Sequence, residues 1–352
     1  MRQNGFWFYG IIPPIINHQE LFTMQHALAV IIVSFNTRDL LHACLASLAD
    51  CTLPLSIIVV DNASFDGSVQ MVRESFPTVA VIETGCNLGF AAANNLGMQQ
   101  AAEADYLLLL NPDTVVHPGA IEQLVAFLDA HPRVGMVSPR LRNPDGSLQR
   151  AAFRFPTLLM SIFEVFPPGA ALPGRFYNSW WHGRYPQEAA DAPFPIDHPL
   201  GACMLVRRAV LAHVGGFDER YFMYSEEVEW CWRIRQAHWA IWQLPTAWVT
   251  HVGGGATRQF RRRMLVELHR SRIQFFHQHY RPAFRSAHQL ITGLGMLRAT
   301  LLAWRDYQRN TITSDELRLR LLAYGEVMKI HSRSIRTRYP AKTPAHQDRS
   351  TG

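Results

Sequence analysis

The chain of 352 residues is 48% hydrophobic and 18% charged, so it can bury a sizeable core, as one large α/β domain with appendages or as two domains, and it is not a disordered polymer. Its five cysteines (Cys44, Cys51, Cys86, Cys203 and Cys231) are odd in number and scattered, without C-x-x-C or Cys/His ligand spacing; this excludes a disulfide framework and a zinc site and suits a reducing cytosol. The net charge of +6 is unevenly split: residues 258–352 hold 19 Lys and Arg against 6 Asp and Glu, or +13, which leaves 15 against 22, or −7, for residues 1–257.

The opening "FWFYGIIPPII" (6–16) is apolar but short and broken by two prolines, with no clear small-residue cleavage site after it, and it reads as neither signal peptide nor spanning helix. Met24 stands just before the first convincing strand, so residues 1–23 form a candidate upstream extension. "LAVIIVSF" (28–35) is a continuous Val/Ile-rich run, the mark of a strand covered on both faces, and Thr37 is placed to cap a helix running through Leu40, Leu41, Cys44, Leu45 and Leu48. The unit then repeats: strand 55–62, helix "SFDGSVQMVRESF", strand 78–84, helix "GFAAANNLGMQQAA", strand 105–111. Such alternation predicts a parallel sheet with helices on both faces and ligands beyond the carboxyl ends of the strands, where Asp61, Asn62 and Asp113 fall. After "RVGMVSPRL" (133–141) and the hairpin signal "NPDGS" (143–147), residues 153–197 are rich in aromatics and proline, which predicts an irregular segment over a pocket. Order returns with a strand over 200–206, a short helix over 207–214, a helix over 226–236 and two further strands ending at His251.

No G-x-G-x-x-G follows the first strand and no G-x-x-x-x-G-K-[ST] occurs anywhere, so a bound nucleotide would be held by side chains. Ser34, Phe35 and Asn36 can offer backbone groups and a ring, and Asp61 can accept a base N–H or a ribose hydroxyl. Asp61-Asn62 is equally well read as an Asx turn capping the next helix. "NPDT" (111–114) fits a plain turn, and the three acids of "SEEVEW" (225–230) fit favourable helix-starting chemistry behind a Ser225 cap.

The stretches "VIIVSFN", "VVDNASFDGS", "NLGFAAANNLG", "LLLLNPDTVV", "GGFDERYFMYSEEVEWCWR" and "VTHVGGG", in this order and spacing, resemble the inverting family 2 glycosyltransferases, in particular their bacterial rhamnosyltransferase-like branch. The resemblance covers residues 28–257. It implies an α/β fold of the GT-A nucleotide-diphospho-sugar transferase type, a mostly parallel sheet flanked by helices. Residues 28–141 would form the nucleotide-sugar-binding half and 142–257 the acceptor and catalytic half, with a helical C-terminal extension over 258–352. It further implies a donor linked to dTDP, UDP or GDP, contacted by Ser34, Asn36, Asp61, Asn87, Asn111 and Asp113. Asp113 matches the last acid of a D-x-D-like motif and would hold Mg²⁺ or Mn²⁺ across the donor's two phosphates; Asn111 in place of the first acid offers only a neutral oxygen. His251 matches a histidine that looks like a metal or diphosphate ligand in relatives, against the plain alternative of a histidine satisfied in a turn. Glu227 takes the position of the acceptor-deprotonating base, with Glu226 as rival. The implied reaction moves rhamnose or a related hexose, with inversion, to a hydroxyl of a glycan or polyprenyl-diphosphate-linked acceptor in cell-surface polysaccharide assembly. The alternative is a nucleotide-sugar-binding protein without catalysis.

The basic tail carries no recognised nucleic-acid-binding motif, so nucleic acid is not the expected partner. Leu290, Leu294, Leu297, Leu301 and Trp304 recur at helical spacing, with Arg298, Arg305 and Arg309 on another face. Two readings stand: the stripe packs on the catalytic domain, or it lies on the inner, anionic face of the cytoplasmic membrane. An oligomer is compatible with either.

Overall fold

A computed structural model describes residues 27–167, 179–185, 187, 190–253 and 261–334, apart from the side chains of 261, 262, 333 and 334. The opening apolar stretch, Met24, Gly254-Gly255 and the expected boundary at residue 257 lie outside these residues.

The strands are β1 (Leu28–Ser34), β2 (Leu55–Asp61), β3 (Ala80–Glu83), β4 (Tyr106–Leu110), β5 (Thr114–Val116), β6 (Val134–Arg142), β7 (Leu148–Gln149), β8 (Ala152–Phe153), β9 (Phe194–Pro195), β10 (His198–Pro199), β11 (Cys203–Arg207) and β12 (Ala240–His251). The helices are α1 (Arg38–Ser47), α2 (Ser68–Ser75), α3 (Phe90–Gln100), α4 (Ala120–Ala130), α5 (Leu158–Val165), α6 (Arg208–Val214), α7 (Glu226–Gln236), α8 (Arg261–His279), α9 (Pro282–Gln308) and α10 (Ser314–Ser334).

The main sheet runs β3-β2-β1-β4-β11-β6-β12-β5. β1 to β4 are mutually parallel, as the alternation predicts. β11 then enters antiparallel to both β4 and β6, so the second half of the chain extends the first half's sheet instead of building its own. β4 is buried along its whole length because it has a neighbour on each edge and helices on both faces. One apolar cluster packs the β1 and β4 side chains against α1 and α4; another packs the opposite face against α3 and α7.

Several local expectations change. Thr37 does precede α1, but its hydroxyl bonds the Ser34 hydroxyl at 2.9 Å. The α1 N-terminus is capped from a distance instead: Asp66 Oδ2 accepts the Arg38 N–H at 2.8 Å. The two strands expected before His251 are one strand, β12, whose pairing with β6 is irregular between Leu244 and Trp248. Within 153–197 lie α5 and short strands, and none of its described residues lines the cavity that Asp113 and His251 open onto. The "NPDGS" hairpin forms as read, with the Asn143 N–H bonded to Ser147 O and β6 paired to β7.

The C-terminal helices pack on the segment around residues 221–232. Phe275 and Phe276 of α8 share a buried cluster with Tyr221 and Val228, and the Ser271 hydroxyl donates to Met223 O at 2.7 Å. α8 therefore braces the loop that leads into α7.

Candidate active site

The proline-broken corner "LLLLNPDTVV" is two strands. β4 ends at Leu110; the Asn111 N–H still reaches Ala202 O at 2.9 Å, and Pro112 then breaks the ladder. The Thr114 hydroxyl closes the turn on Asn111 O at 2.7 Å. The chain restarts as β5, which pairs antiparallel with β12 in the register Thr114 opposite His251. That register brings Asp113 and His251 together although they are 138 positions apart in sequence: His251 Nε2 stands 3.3 Å from Asp113 Oδ1, both side chains largely buried.

A residue not singled out in the sequence completes the pair. Gln149, in β7, accepts the Nδ1–H of His251 at 2.8 Å, and its amide donates to Asn143 Oδ1 at 2.9 Å, which fixes its orientation. With Nδ1 turned to Gln149, Nε2 is the ring atom that faces the Asp113 carboxylate, where it can share a proton or a cation with it. The donor set therefore fits a hard or borderline divalent metal. Among the described residues no cluster of three or more His, Cys, Asp or Glu is disposed to hold a metal, so these two ligands would need phosphate oxygens or water to complete the coordination.

Asp113 and His251 open onto a cavity of about 450 Å³, together with Asn62, Asn87, Asn111, Gly201, Phe222, Tyr224, Glu226, Glu227 and Arg263. Of the sequence-predicted residues, Asn87, Asn111, Asp113, Glu226, Glu227 and His251 meet here. Ser34, Asn36 and Asp61 stand behind its wall, at the carboxyl ends of β1 and β2. There Asp61 Oδ2 accepts the Ser64 N–H at 2.9 Å, so the Asx turn is real, but its buried Oδ1 has no hydrogen-bond partner. Asn36 Oδ1 accepts the Phe65 N–H, while its buried Nδ2 is also without one. An unmet acceptor and an unmet donor, each costly to bury, thus stand at or just beyond the carboxyl ends of neighbouring strands.

The acids sit at the start of α7. Tyr224 and Ser225 both adopt positive φ, 68° and 63°, and the Ser225 hydroxyl makes no cap, contrary to the sequence reading. Two consecutive left-handed non-glycine residues are a strained entry that only tertiary contacts sustain; the α8 brace on Met223 and the bond from Phe90 N–H to Phe222 O are those contacts. Glu226 and Glu227 each bury an Oε2 with no hydrogen-bond partner. Burial, and then the neighbouring Glu227 charge, hold the Glu226 carboxyl well above its ordinary range. Burial likewise pushes Glu227 up, to about 6, against two backbone N–H groups that favour its charge. Burial favours the neutral form of both carboxyls, and their mutual repulsion opposes ionising the two together. The third acid, Glu229, is structural, since Arg233 grips it with contacts of 2.8 and 2.9 Å and also donates to Gly216 O.

Arg263, in the first turn of α8, was also invisible to motif reading. Its guanidinium lies 5.2 Å from the Phe222 ring centroid, within the distance at which a cation is attracted to a ring face. It puts one cation into a cavity otherwise lined by three acids.

The Glycosyl transferase family 2 model matches residues 29–215. Over 241 residues the chain is 34% identical to the N-acetylglucosaminyl-diphospho-decaprenol L-rhamnosyltransferase of Mycobacterium tuberculosis, covering 65% of this chain and 76% of that one. It is 24% identical to rhamnosyltransferase WbbL of Escherichia coli K12, covering 66% and 85%. The fold is similar to that of the solved mannosyltransferase PcManGT from Pyrobaculum calidifontis, in complex with GDP-Man and Mn²⁺, with a TM-score of 0.54 at 16% identity, over 89% of this chain and 88% of that one. With the family model spanning more than half its length, on a GT-A-like sheet with acids at the carboxyl ends of its strands, this chain belongs to the family 2 glycosyltransferases, in their rhamnosyltransferase-like branch.

Proposed function

We propose that the protein transfers rhamnose or a related hexose from a nucleoside-diphosphate donor to a hydroxyl of a glycan or polyprenyl-diphosphate-linked acceptor, with inversion at the anomeric carbon, in cell-surface polysaccharide assembly. The observation that carries this reading is the single cavity that brings the buried, unpartnered carboxyls of Glu226 and Glu227 together with Asp113 and His251. The names of the rhamnosyltransferase relatives support the sugar and acceptor classes.

In this reading the acceptor hydroxyl lies against Glu227. The sugar–phosphate C–O bond breaks as the acceptor oxygen bonds to the anomeric carbon from the opposite side, and the hydroxyl proton passes to the Glu227 carboxylate. Glu226 stays protonated and keeps a second negative charge away from the base. A divalent cation, Mg²⁺ or Mn²⁺, held by Asp113 and His251, would neutralise the charge growing on the departing diphosphate. Gln149 fixes the His251 ring for that task, and the Arg263 guanidinium adds a permanent positive charge for the phosphates. The unmet Asp61 acceptor and Asn36 donor suit an imide edge, a ring N–H beside a carbonyl, as in uracil, thymine or guanine. Cytosine and adenine present the opposite pattern.

Calorimetry tests the donor half of this reading. UDP, dTDP or GDP should bind in the presence of Mn²⁺, while CDP and ADP should bind more weakly. Equal affinity for all five would remove Asp61 and Asn36 from base recognition. Among the described residues no helix is long and apolar enough to cross a membrane, so a lipid-borne acceptor would have to be met at the bilayer surface.

A further inference from the structure

α9 is amphipathic with its faces exchanged. The side turned into the protein carries His288, Thr292, Gly295, Met296 and Ala303, packed towards α5, α8 and α10. The opposite side carries Leu290, Leu294, Leu297, Leu301 and Trp304, exposed at 65, 49, 57, 63 and 52%. At 3.6 residues per turn these five fall within about 40° of one line, roughly 21 Å long, directly opposite the packed face. The sequence alone left packing on the catalytic domain as one destination for this stripe; the structure packs the helix by its other side. A single exposed leucine needs no explanation, but an unbroken row of four leucines and a tryptophan is a surface that something covers.

Charge identifies what covers it. Arg298, Arg305 and Arg309 lie about 60–100° from the centre of the stripe, beside it on the helix; Arg298 also donates to Val165 O at 3.2 Å and Arg305 pairs with Asp306 at 3.0 Å, and the segment from residue 258 onward carries +13. A second copy of this chain would bring two such surfaces together and oppose their charges. An anionic bilayer complements both features: leucine and tryptophan enter the headgroup boundary, and the flanking guanidinium groups meet lipid phosphates.

We propose that the outer face of α9 is a docking surface for an anionic lipid bilayer, holding the enzyme where a lipid-borne acceptor resides. The inference rests on the α9 face and segment charge rather than on the active-site chemistry, so the two can fail separately. Each leucine withdrawn from the interface should weaken partitioning on the order of tenfold, and each basic residue near the surface contributes roughly fivefold.

Flotation of the full-length protein on vesicles of phosphatidylcholine, with and without phosphatidylglycerol, provides the test. The wild type should float with the anionic vesicles only, and less at high salt, which screens exposed charges. The double variant L297E/L301E should lose flotation by at least tenfold while keeping its melting temperature and its turnover with a water-soluble acceptor, because both side chains are exposed. R305Q/R309Q should weaken flotation and flatten its salt dependence. Absence of wild-type flotation on anionic vesicles at low salt would overturn the proposal, as would full flotation of L297E/L301E. So would a wild-type dimer that L297E/L301E converts to a monomer, by light scattering, with no change in vesicle binding; the face would then be an interface between copies. Failure of sugar transfer with flotation intact would count against the active-site reading and leave this one standing.

Discussion

Glu227→Gln should make the protein more stable and less active, and the size of the first effect follows from its environment. Burial raises the carboxyl from its ordinary 4.5 to about 6. Holding the charge in the fold at neutral pH therefore costs about 2 kcal/mol, at roughly 1.4 kcal/mol for each tenfold in proton affinity. For a raised carboxyl the sign is fixed: its stabilising contribution is fully present below about 4.5 and is lost as pH rises through about 6. The amide cannot ionise and nearly matches the side chain in shape, so the variant should be more stable above pH 7, by about 2 kcal/mol or a few degrees in Tm. That gain should shrink to nothing by pH 4.5. Relief of the neighbouring Glu226 acts in the same direction. Paired thermal melts of wild type and variant across this range read the difference, in which other titrations cancel. Turnover should meanwhile fall roughly 10²–10⁴-fold with donor binding retained. A variant less stable than wild type at pH 8, or a gain independent of pH, would refute the assignment of a strained, ionised base; greater loss of turnover in Glu226→Gln would move the base by one residue.

Other expectations follow from the same geometry. Asp113→Ala should leave the melting curve near wild type but remove the Mn²⁺-dependent part of nucleoside diphosphate affinity, read by calorimetry. Gln149→Leu, which touches no ligand, should weaken Mn²⁺ affinity by about 10–100-fold by freeing the His251 ring. Arg263→Gln should weaken nucleoside diphosphate binding about tenfold, with Arg263→Lys partly restoring it. The C-terminal helices should be acid-sensitive: burial, and then Arg272, hold His269 and His288 near 3 and His331 near 4, with neighbouring histidines adding to the first two. Histidines depressed in the fold stabilise it above their ordinary 6.5, and that stability drains away as pH falls towards 3, on the order of 2 kcal/mol per residue by pH 5. Loss of helical circular dichroism below pH 6, delayed in His288→Gln, checks this.

The first half of the fold was legible because buried parallel strands write themselves as unbroken Val, Ile and Leu runs, and "LAVIIVSF" and "LLLLN" are such runs. The corner at Asn111-Pro112-Asp113 was legible as a corner. What brought His251 to it was not, because the partner is set by the register of β5 on β12, a pairing between residues far apart in sequence. Gln149 was invisible for the same reason, and no motif surrounds Arg263. The burial that raises both Glu226 and Glu227 is not encoded by helix-start chemistry, and residue type alone leaves the two as rivals for the base. The caps at Thr37 and Ser225 were read from residue type alone, whereas Asp66 caps α1 from elsewhere in the chain and the entry to α7 is held by the α8 contact with Met223. The leucine stripe on α9 was fully visible in the sequence, but not which way it faced.

The central claim is inverting transfer from a nucleoside-diphosphate sugar in the Asp113–His251–Glu227 cavity. The most direct measurement is the anomeric configuration of the product, read by NMR after turnover of a donor of known configuration with Mn²⁺. A β-linked donor should give an α-linked product, or an α-linked donor a β-linked one, and Glu227→Gln should slow its formation without changing that outcome. A product that retains the donor's configuration, formed at the wild-type rate by Glu227→Gln, would contradict the account.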